Sequence, residues 1–309
     1  MVDTRVNLSG LILDNPVIPA SGTFGYGEDF HKYFELSILG SISIKGTTKQ
    51  PRYGNPLPRI AESSSGLLNA VGLQNPGIKE VLEEKIPFLE KHFQKKLIAN
   101  VCGFSKEEYI EVAKAFDQSS AIGLLEINIS CPNVDCGGMA IGTDPDLAYQ
   151  LTKEIKANTK KPVYMKLSPN VTDITEIALA CEEGGADGLS MVNTFLGMRL
   201  DLKKRKPLLA NRTGGLSGPA IFPLALRMVW DTYEKVSIPI IGMGGISTCD
   251  DILEMMMAGA SAIQIGAQNL VHPTICQQLI KDLPKRMEMY GITSLQELVG
   301  SAHERKKNE

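Results

Sequence analysis

Short apolar segments that alternate with helical patterns constrain the fold of this chain more than any other feature. Each segment is rich in Val, Ile, Leu or Ala and has the length of one strand. The segments are residues 17–20, 38–45, 97–101, 124–129, 163–167, 188–193, 238–243 and 262–266. Apolar strands separated by helices are typical of a parallel sheet whose outer face is covered by helices. Eight such units predict an α/β fold, a (β/α)8 TIM barrel.

The length of 309 residues suits either one large barrel or two smaller domains. Because the predicted units run through nearly the whole sequence, we expect a single domain that spans residues 1–309. Two long segments, residues 46–77 and 194–218, interrupt the alternation. The first is rich in Gly, Pro, Ser and Asn, and the second holds the basic run Lys203-Lys-Arg-Lys206 followed by Gly214-Gly-Leu-Ser-Gly218. Loops of this length inside a compact domain are usually lids or binding loops, so we expect them beside an active site.

Composition excludes several classes of protein. The net charge of −3 favours neither nucleic acid nor an anionic membrane as a partner. The N-terminus has no signal-peptide pattern, and no apolar run approaches the ~20 residues of a membrane span. We therefore expect a cytoplasmic protein. The six Cys and four His lack the spacing of zinc or iron–sulfur sites, so no metal is predicted.

One predicted strand ends abruptly in polar residues, in the stretch Glu126-Ile-Asn-Ile-Ser-Cys-Pro-Asn133. Pro132 cannot continue a central strand, so the Cys131 thiol should lie just beyond the strand end. A thiol among amides and a hydroxyl is typical of a reacting group. A buried structural cysteine is the alternative, and the stretch alone leaves both interpretations open.

The other predicted strands also end in polar residues or glycine. The ends are Ser21, Lys45, Asn100, Asn128, Lys166, Asn193, Gly244, Gly245 and Gly266. A barrel gathers its strand ends at one mouth, and buried Lys and Asn side chains need partners there. The set therefore predicts a polar, planar or anionic ligand. Lys166 would stabilise negative charge on a reduced cofactor ring, or alternatively pair with Glu126.

Glycine turns after the last two predicted strands indicate a phosphate site. Met243-Gly-Gly-Ile-Ser247 opens a helix after one strand, and Gly266-Ala267 follows the next. Backbone N–H groups at such turns and at helix N-termini bind anions, and barrels often bind phosphate at these positions.

The chain resembles the class 1 dihydroorotate dehydrogenases, which are a family of flavoproteins. Within that family it is most similar to the 1B branch, which works with NAD. The matching stretches run in the family's order and cover almost the whole chain. They are Asn128-Ile-Ser-Cys-Pro-Asn133, Asn69-Ala-Val-Gly-Leu-Gln-Asn-Pro-Gly77, Asn193-Thr-Phe-Leu-Gly-Met-Arg199, Gly214-Gly-Leu-Ser-Gly-Pro-Ala220 and Ile241-Gly-Met-Gly-Gly-Ile246.

The resemblance implies an FMN-containing barrel that oxidises (S)-dihydroorotate to orotate in pyrimidine biosynthesis. Cys131 would remove the C5 proton, and the C6 hydride would pass to FMN. The implied FMN-binding residues are Ser21, Lys45, Gly46, Asn100, Asn128, Lys166, Val192, Gly218, Gly244, Gly245, Gly266 and Ala267. The implied substrate-binding residues are Lys45, Asn69, Ala70, Val71, Gly72, Leu73, Asn128, Asn193 and Thr194.

The chain departs from the usual family pattern at three positions. Gly46 and Ala267 stand where larger side chains, often Thr, are expected. Both positions still offer backbone N–H groups to FMN. Cys136 replaces a more usual charged residue after the predicted base. It is either incidental or able to oxidise with Cys131.

The route by which electrons leave also follows from the resemblance. The chain has no G-x-G-x-x-G fingerprint for NAD, so another polypeptide would have to reach that acceptor. The 1B branch implies a partner subunit that carries FAD and a [2Fe–2S] cluster, in a heterotetramer of two catalytic and two partner chains. The alternatives are a 1A-type dehydrogenase that uses fumarate, or another FMN-dependent pyrimidine reductase. A dihydrouridine synthase and a non-enzymatic scaffold barrel fit less well, because the chain lacks a basic RNA-binding surface and keeps Cys131 and both lysines.

Overall fold

The computed structural model describes residues 2–130 and 141–303. Within these residues, the central sheet has seven strands, all parallel. In order across the sheet they are Val17–Pro19, Ala260–Ile265, Ile240–Met243, Gly188–Met191, Val163–Lys166, Ile122–Asn128 and Leu97–Val101. Seven of the predicted strands are therefore confirmed, and all of them are buried, as expected where helices cover the sheet.

The segment between Gly40 and Thr47 joins the two edges of this sheet and closes the barrel. On one side, Ser43 N donates to Pro19 O at 3.3 Å. On the other side, Ile44 N donates to Ile98 O at 3.0 Å. The α/β barrel predicted from the sequence is confirmed, because a ring of backbone hydrogen bonds connects the first strand to the third predicted one.

The prediction of a continuous strand over residues 38–45 was nevertheless wrong. The segment begins with the 3-10 turn Leu36–Ile38 and pairs only through isolated bridges at Ser43 and Thr47. Lys45 N donates to Gly25 O at 3.1 Å, in a loop rather than in a neighbouring strand. This contact interrupts the hydrogen-bonding ladder and directs the chain toward the barrel mouth.

Helices surround the barrel, and polar caps define where several of them begin. Ser105, Asp144 and Asp173 each accept a hydrogen bond from a backbone N–H in the first turn of a helix. Each cap of this kind contributes about 0.5–2 kcal/mol. Within the described residues, the α-helices with defined bounds are Ile78–Glu80, Ile86–His92, Lys106–Asp117, Pro145–Asn158, Ile174–Glu183, Phe222–Tyr233, Cys249–Met257, Gln268–Val271, Ile275–Met289 and Leu295–Leu298. Val81–Lys85 is a π-helix, and Phe30–Lys32, Leu36–Ile38 and Pro219–Ile221 are 3-10 helices.

The two long loops pair with each other in a four-stranded antiparallel sheet, here called the cover sheet. Its order is Phe195–Gly197, Gly214–Ser217, Gly66–Asn69 and Ile60–Ser63. Smaller hairpins join Val6–Leu8 to Leu11–Leu13 and Leu200–Asp201 to Lys206–Pro207. The cover sheet brings residues from both loops together over the barrel mouth. Among the described residues, no helix combines the length and apolar character needed to cross a bilayer.

A glycine at the end of strand Ile240–Met243 generates the first prediction. Gly245 has φ +77°, and a Cβ there would lie 2.6 Å from Phe222 N. Gly291 has a similar φ of +68°, but a Cβ there would meet nothing within 4 Å. Both Ala substitutions impose left-handed backbone strain, and only Gly245→Ala adds a clash.

We expect Gly245→Ala to lower the free energy of unfolding by about 1–3 kcal/mol more than Gly291→Ala. Urea unfolding of the two variants and the wild-type chain measures this difference. If both variants lose the same free energy of unfolding, the contact between Gly245 and the helix Phe222–Tyr233 is not what excludes a side chain at position 245.

Candidate functional site

The carboxyl ends of the barrel strands open into a cavity of about 300 Å³ beneath the cover sheet. The structure brings together nearly all of the residues predicted from the sequence around this cavity. Those that line it are Ser21, Lys45, Gly46, Asn69, Val71, Gly72, Leu73, Asn100, Asn128, Lys166, Val192, Asn193, Thr194, Gly218, Gly244, Gly245, Gly266 and Ala267. Their individual roles remain predictions.

Two predicted residues stand apart from this set. Ala70 does not line the cavity, because its side chain is buried in a cluster with Leu68 and Leu209. Its backbone N–H donates to Arg59 O at 2.8 Å. Cys131 lies outside the described residues, as does Cys136.

The cavity also includes residues that were not predicted. They are Ala20, Gly22, Thr23, Ile60, Leu67, Ser217, Ile221, Met243 and Leu270. Gly22 and Thr23 directly follow the predicted Ser21, so a wider window at that strand end would have included them. Ile60 and Leu67 belong to the cover sheet, whose position depends on pairing between distant loops.

A buried polar cluster lies at the inner side of the cavity, centred on Glu126. This carboxylate is fully buried and accepts hydrogen bonds from Asn100 Nδ2 at 2.6 Å and Gln264 Nε2 at 2.5 Å. Ser43 Oγ donates to it at 3.2 Å, and Lys166 Nζ lies 3.6 Å from Oε1. The alternative interpretation of Lys166, an ion pair with Glu126, is therefore confirmed, while its role toward a cofactor stays a prediction. Lys166 also lines the cavity, so pairing and a role toward a ligand are compatible.

The charge state of Glu126 follows from these contacts. Burial raises the pKa of its carboxyl, but the Lys166 charge together with hydrogen bonds from Asn100, Ser190 and Gln264 lowers it more, so the net pKa is below the ordinary value. Glu126 is therefore ionised at neutral pH. Its negative charge balances the buried ammonium of Lys166, and neither charge is left uncompensated.

A second group of polar contacts fixes the end of strand Ile122–Asn128. Asn128 Oδ1 accepts from Ser130 N at 3.2 Å and from Ser130 Oγ at 2.9 Å. Asn193 Nδ2 donates to Ser130 Oγ at 2.7 Å, and Tyr109 OH donates to the Asn128 carbonyl at 2.7 Å. Ser130, which directly precedes Cys131 in the sequence, is thus held by residues at the ends of two strands, Ile122–Asn128 and Gly188–Met191.

The cavity combines two ammonium groups with exposed backbone at glycine turns. Lys45 is half-buried, and its Nζ lies 3.7 Å from where a Cβ of Gly22 would be. A Cβ at Gly266 would meet no atom within 4 Å, so it would occupy cavity space. Cations, amide groups and glycine turns in one cavity suit a planar, anionic ligand. Within residues 2–130 and 141–303, no three His, Cys, Asp or Glu side chains form a group that could hold a metal.

Comparison with known proteins shows which family this chain is similar to. The family model described as dihydroorotate dehydrogenase matches residues 4–287. The chain is 56% identical over 303 residues to the dihydroorotate dehydrogenase B (NAD(+)) catalytic subunit of Enterococcus faecalis strain V583, covering 98% of this chain and 97% of that protein. It is also 56% identical over 296 residues to the protein of the same name from Bacillus pumilus, covering 96% and 95% of the two chains.

A solved structure supports the fold independently. The crystal structure of DHODH from Eimeria tenella in complex with ferulenol matches with a TM-score of 0.80 at 23% identity. The match covers 97% of this chain and 89% of that one. At this identity the similarity establishes the common barrel architecture.

The pKa of Glu126 generates a prediction about pH. Because the folded pKa is below the ordinary value of 4.5, ionised Glu126 stabilises the fold above that pH. The contribution is lost as the pH falls from 4.5 through the lower folded pKa. We therefore expect the stability advantage of the wild-type chain over Glu126→Gln to be largest near neutral pH and to shrink in acid.

Urea unfolding of both proteins at a series of pH values measures this advantage. Glu297→Gln, which changes an exposed glutamate of the helix Leu295–Leu298, is the matched control. A gap between wild type and Glu126→Gln that stays constant from neutral pH into acid would contradict an ionised, stabilising Glu126.

Proposed function

Because the chain belongs to the dihydroorotate dehydrogenase family, we propose that it is the catalytic subunit of an NAD-linked dihydroorotate dehydrogenase. It would oxidise (S)-dihydroorotate to orotate in pyrimidine biosynthesis, with residues 1–309 as one FMN-binding domain. The observation that carries the proposal is the cavity at the barrel mouth, which is lined by Lys45, Lys166 and four asparagines. A cytoplasmic location remains a prediction.

The described cavity fits FMN, which the family implies as cofactor. The positions of Gly244, Gly245, Gly266 and Ala267 offer backbone N–H groups for its phosphate. Lys166, buried and paired with Glu126, would face the flavin ring together with Asn100. FMN, when bound, supplies an acceptor for the hydride from C6 of the substrate.

The opposite side of the cavity suits dihydroorotate. Its carboxylate requires cations or N–H donors, and its ring carries amide groups. Lys45 and the backbone of residues 69–73 would bind the carboxylate, while Asn69, Asn128 and Asn193 would hold the ring. The cover sheet, which carries Asn69, would exclude water from the reacting atoms.

We propose Cys131 as the base that removes the C5 proton. Its assignment rests on the sequence, since it directly follows Ser130 in the motif shared with the family. The contacts of Ser130 with Asn128 and Asn193 support the assignment because they fix the chain that leads to Cys131. Polar neighbours lower the pKa of a thiol toward the operating pH, which a general base needs.

For the electrons we propose a partner subunit that carries FAD and a [2Fe–2S] cluster, in a heterotetramer of two catalytic and two partner chains. The relatives from Enterococcus faecalis and Bacillus pumilus are each named as a catalytic subunit, which implies a second subunit. Both are named for NAD(+), which favours NAD over the fumarate of the alternative prediction.

The proposed reaction predicts a visible change. Purified protein should be yellow, and dihydroorotate added without oxygen should bleach the absorbance band of oxidised flavin. Stopped-flow absorbance measures the rate. Cys131→Ser should bleach far more slowly, since a serine hydroxyl is a much weaker acid than a thiol.

Glu297→Gln serves as the control variant and should bleach at the wild-type rate, because this exposed side chain does not line the cavity. A colourless wild-type protein that binds no added FMN would refute the proposed function. Equal rates for Cys131→Ser and wild type would refute the role of Cys131 alone.

The need for a partner generates a separate prediction. The pure catalytic chain should reduce an artificial dye with dihydroorotate but should form no NADH from NAD. The family implies one FMN for this chain, and in the proposed complex the relay to NAD would belong to the second subunit. Absorbance assays with each acceptor test this, and steady NADH formation by the single chain would contradict it.

A further inference from the structure

A continuous chain of hydrogen bonds connects the buried Glu126 carboxylate to Ser130. Asn100 Nδ2 donates to Glu126, and Asn100 Oδ1 accepts from Cys102 Sγ at 3.4 Å. Asn128 Nδ2 donates to the same sulfur at 3.6 Å. Asn128 Oδ1 in turn accepts both donors of Ser130. The Cys102 thiol is therefore the link between the two asparagines.

The direction of this chain is dictated by its charged end. An ionised carboxylate only accepts hydrogen bonds, so Asn100 must turn its NH₂ group toward Glu126. Its oxygen then faces Cys102, which donates through its S–H. The sulfur is left to accept from the NH₂ group of Asn128. The orientation of the Asn100 amide thus favours the orientation of the Asn128 amide, with the Cys102 thiol between them.

The consequence appears at Asn128, which lines the cavity. Its amide oxygen has two lone pairs, and both Ser130 donors occupy them. Its NH₂ group has two hydrogens, of which Cys102 takes one. The side chain can therefore offer a ligand an N–H donor and no acceptor.

We propose that Glu126 and Cys102 are positioning residues that hold Asn128 with its donor toward the ligand. Neither residue lines the cavity, so both act through the asparagines. The inference rests on the proposed function and deepens it. The ligand atom opposite Asn128 must be an acceptor, such as a carbonyl or carboxylate oxygen of orotate.

Cys102 provides a clean test because Ala and Ser at this position differ by a single hydroxyl. Cys102→Ser keeps a group that both donates and accepts. Cys102→Ala removes the sulfur to which Asn128 Nδ2 donates, so the amide then depends on its contacts with Ser130 for its orientation. Glu126→Gln is less suited, because it also leaves the Lys166 charge unpaired. Cys181→Ala, at a fully buried thiol on the helix Ile174–Glu183, controls for the loss of a buried sulfur.

The experiment measures orotate binding to each FMN-loaded protein by the perturbation of flavin absorbance, with thermal unfolding beside it. We expect Cys102→Ala to bind orotate about tenfold more weakly than Cys102→Ser, a change of about 1.4 kcal/mol. Cys102→Ser should stay within about threefold of wild type, a range below one hydrogen bond. Cys181→Ala should bind orotate like wild type even where its melting temperature falls.

Equal orotate affinity in Cys102→Ala and Cys102→Ser would overturn the inference while leaving the proposed function intact. Weak binding in both Cys102 variants and in Cys181→Ala, in step with lower melting temperatures, would assign the effect to general stability and would also overturn it. If FMN-loaded wild type shows no spectral response to orotate, the proposed function fails first and the inference with it.

Discussion

The buried carboxylate of Glu126 is the constraint around which the barrel mouth is organised. A carboxylate taken out of water costs several kcal/mol unless a cation and hydrogen bonds compensate it. Lys166, Asn100, Gln264 and Ser43 supply that compensation from four other segments of the barrel. Such a cluster stabilises the fold little compared with an apolar core of equal volume. Its presence is better explained by the need to fix a lysine and two amides in one orientation.

The barrel was predictable because its signals are local. Each buried strand is a short apolar run, and most of the helices between strands begin at a polar cap or a proline, so neither requires knowledge of distant residues. A continuous strand was wrongly predicted over residues 38–45, because the alternation of Ile and Ser in this segment is typical of a strand. In the structure, the backbone N–H of Lys45 instead donates to a loop. The positions at the strand ends were predictable for the same reason, since a parallel barrel gathers them at one mouth.

The cover sheet was not predictable, because its strands pair residues that are about half the chain apart. Leu68 lies opposite Leu216, and Asn69 lies opposite Gly215. No local sequence pattern predicts this pairing. Asn170 then ties the cover sheet to the barrel, since its Nδ2 donates to Thr194 O and its Oδ1 accepts from Leu196 N. The position of Ala70, which is buried with Leu68 and Leu209 instead of lining the cavity, follows from the same long-range pairing.

The glycine at position 46, where a larger side chain is expected from the family pattern, has a physical explanation in the same cluster. A Cβ at Gly46 would lie 2.7 Å from Asn100 Oδ1 and 2.8 Å from Cys102 Sγ. A side chain at position 46 and the thiol in its present place are therefore mutually exclusive. Glycine leaves the space in which the sulfur reaches both asparagines. Gly46 and the Cys102 thiol therefore depend on each other. The sequence does not reveal this dependence, because the two residues come into contact only in the folded barrel.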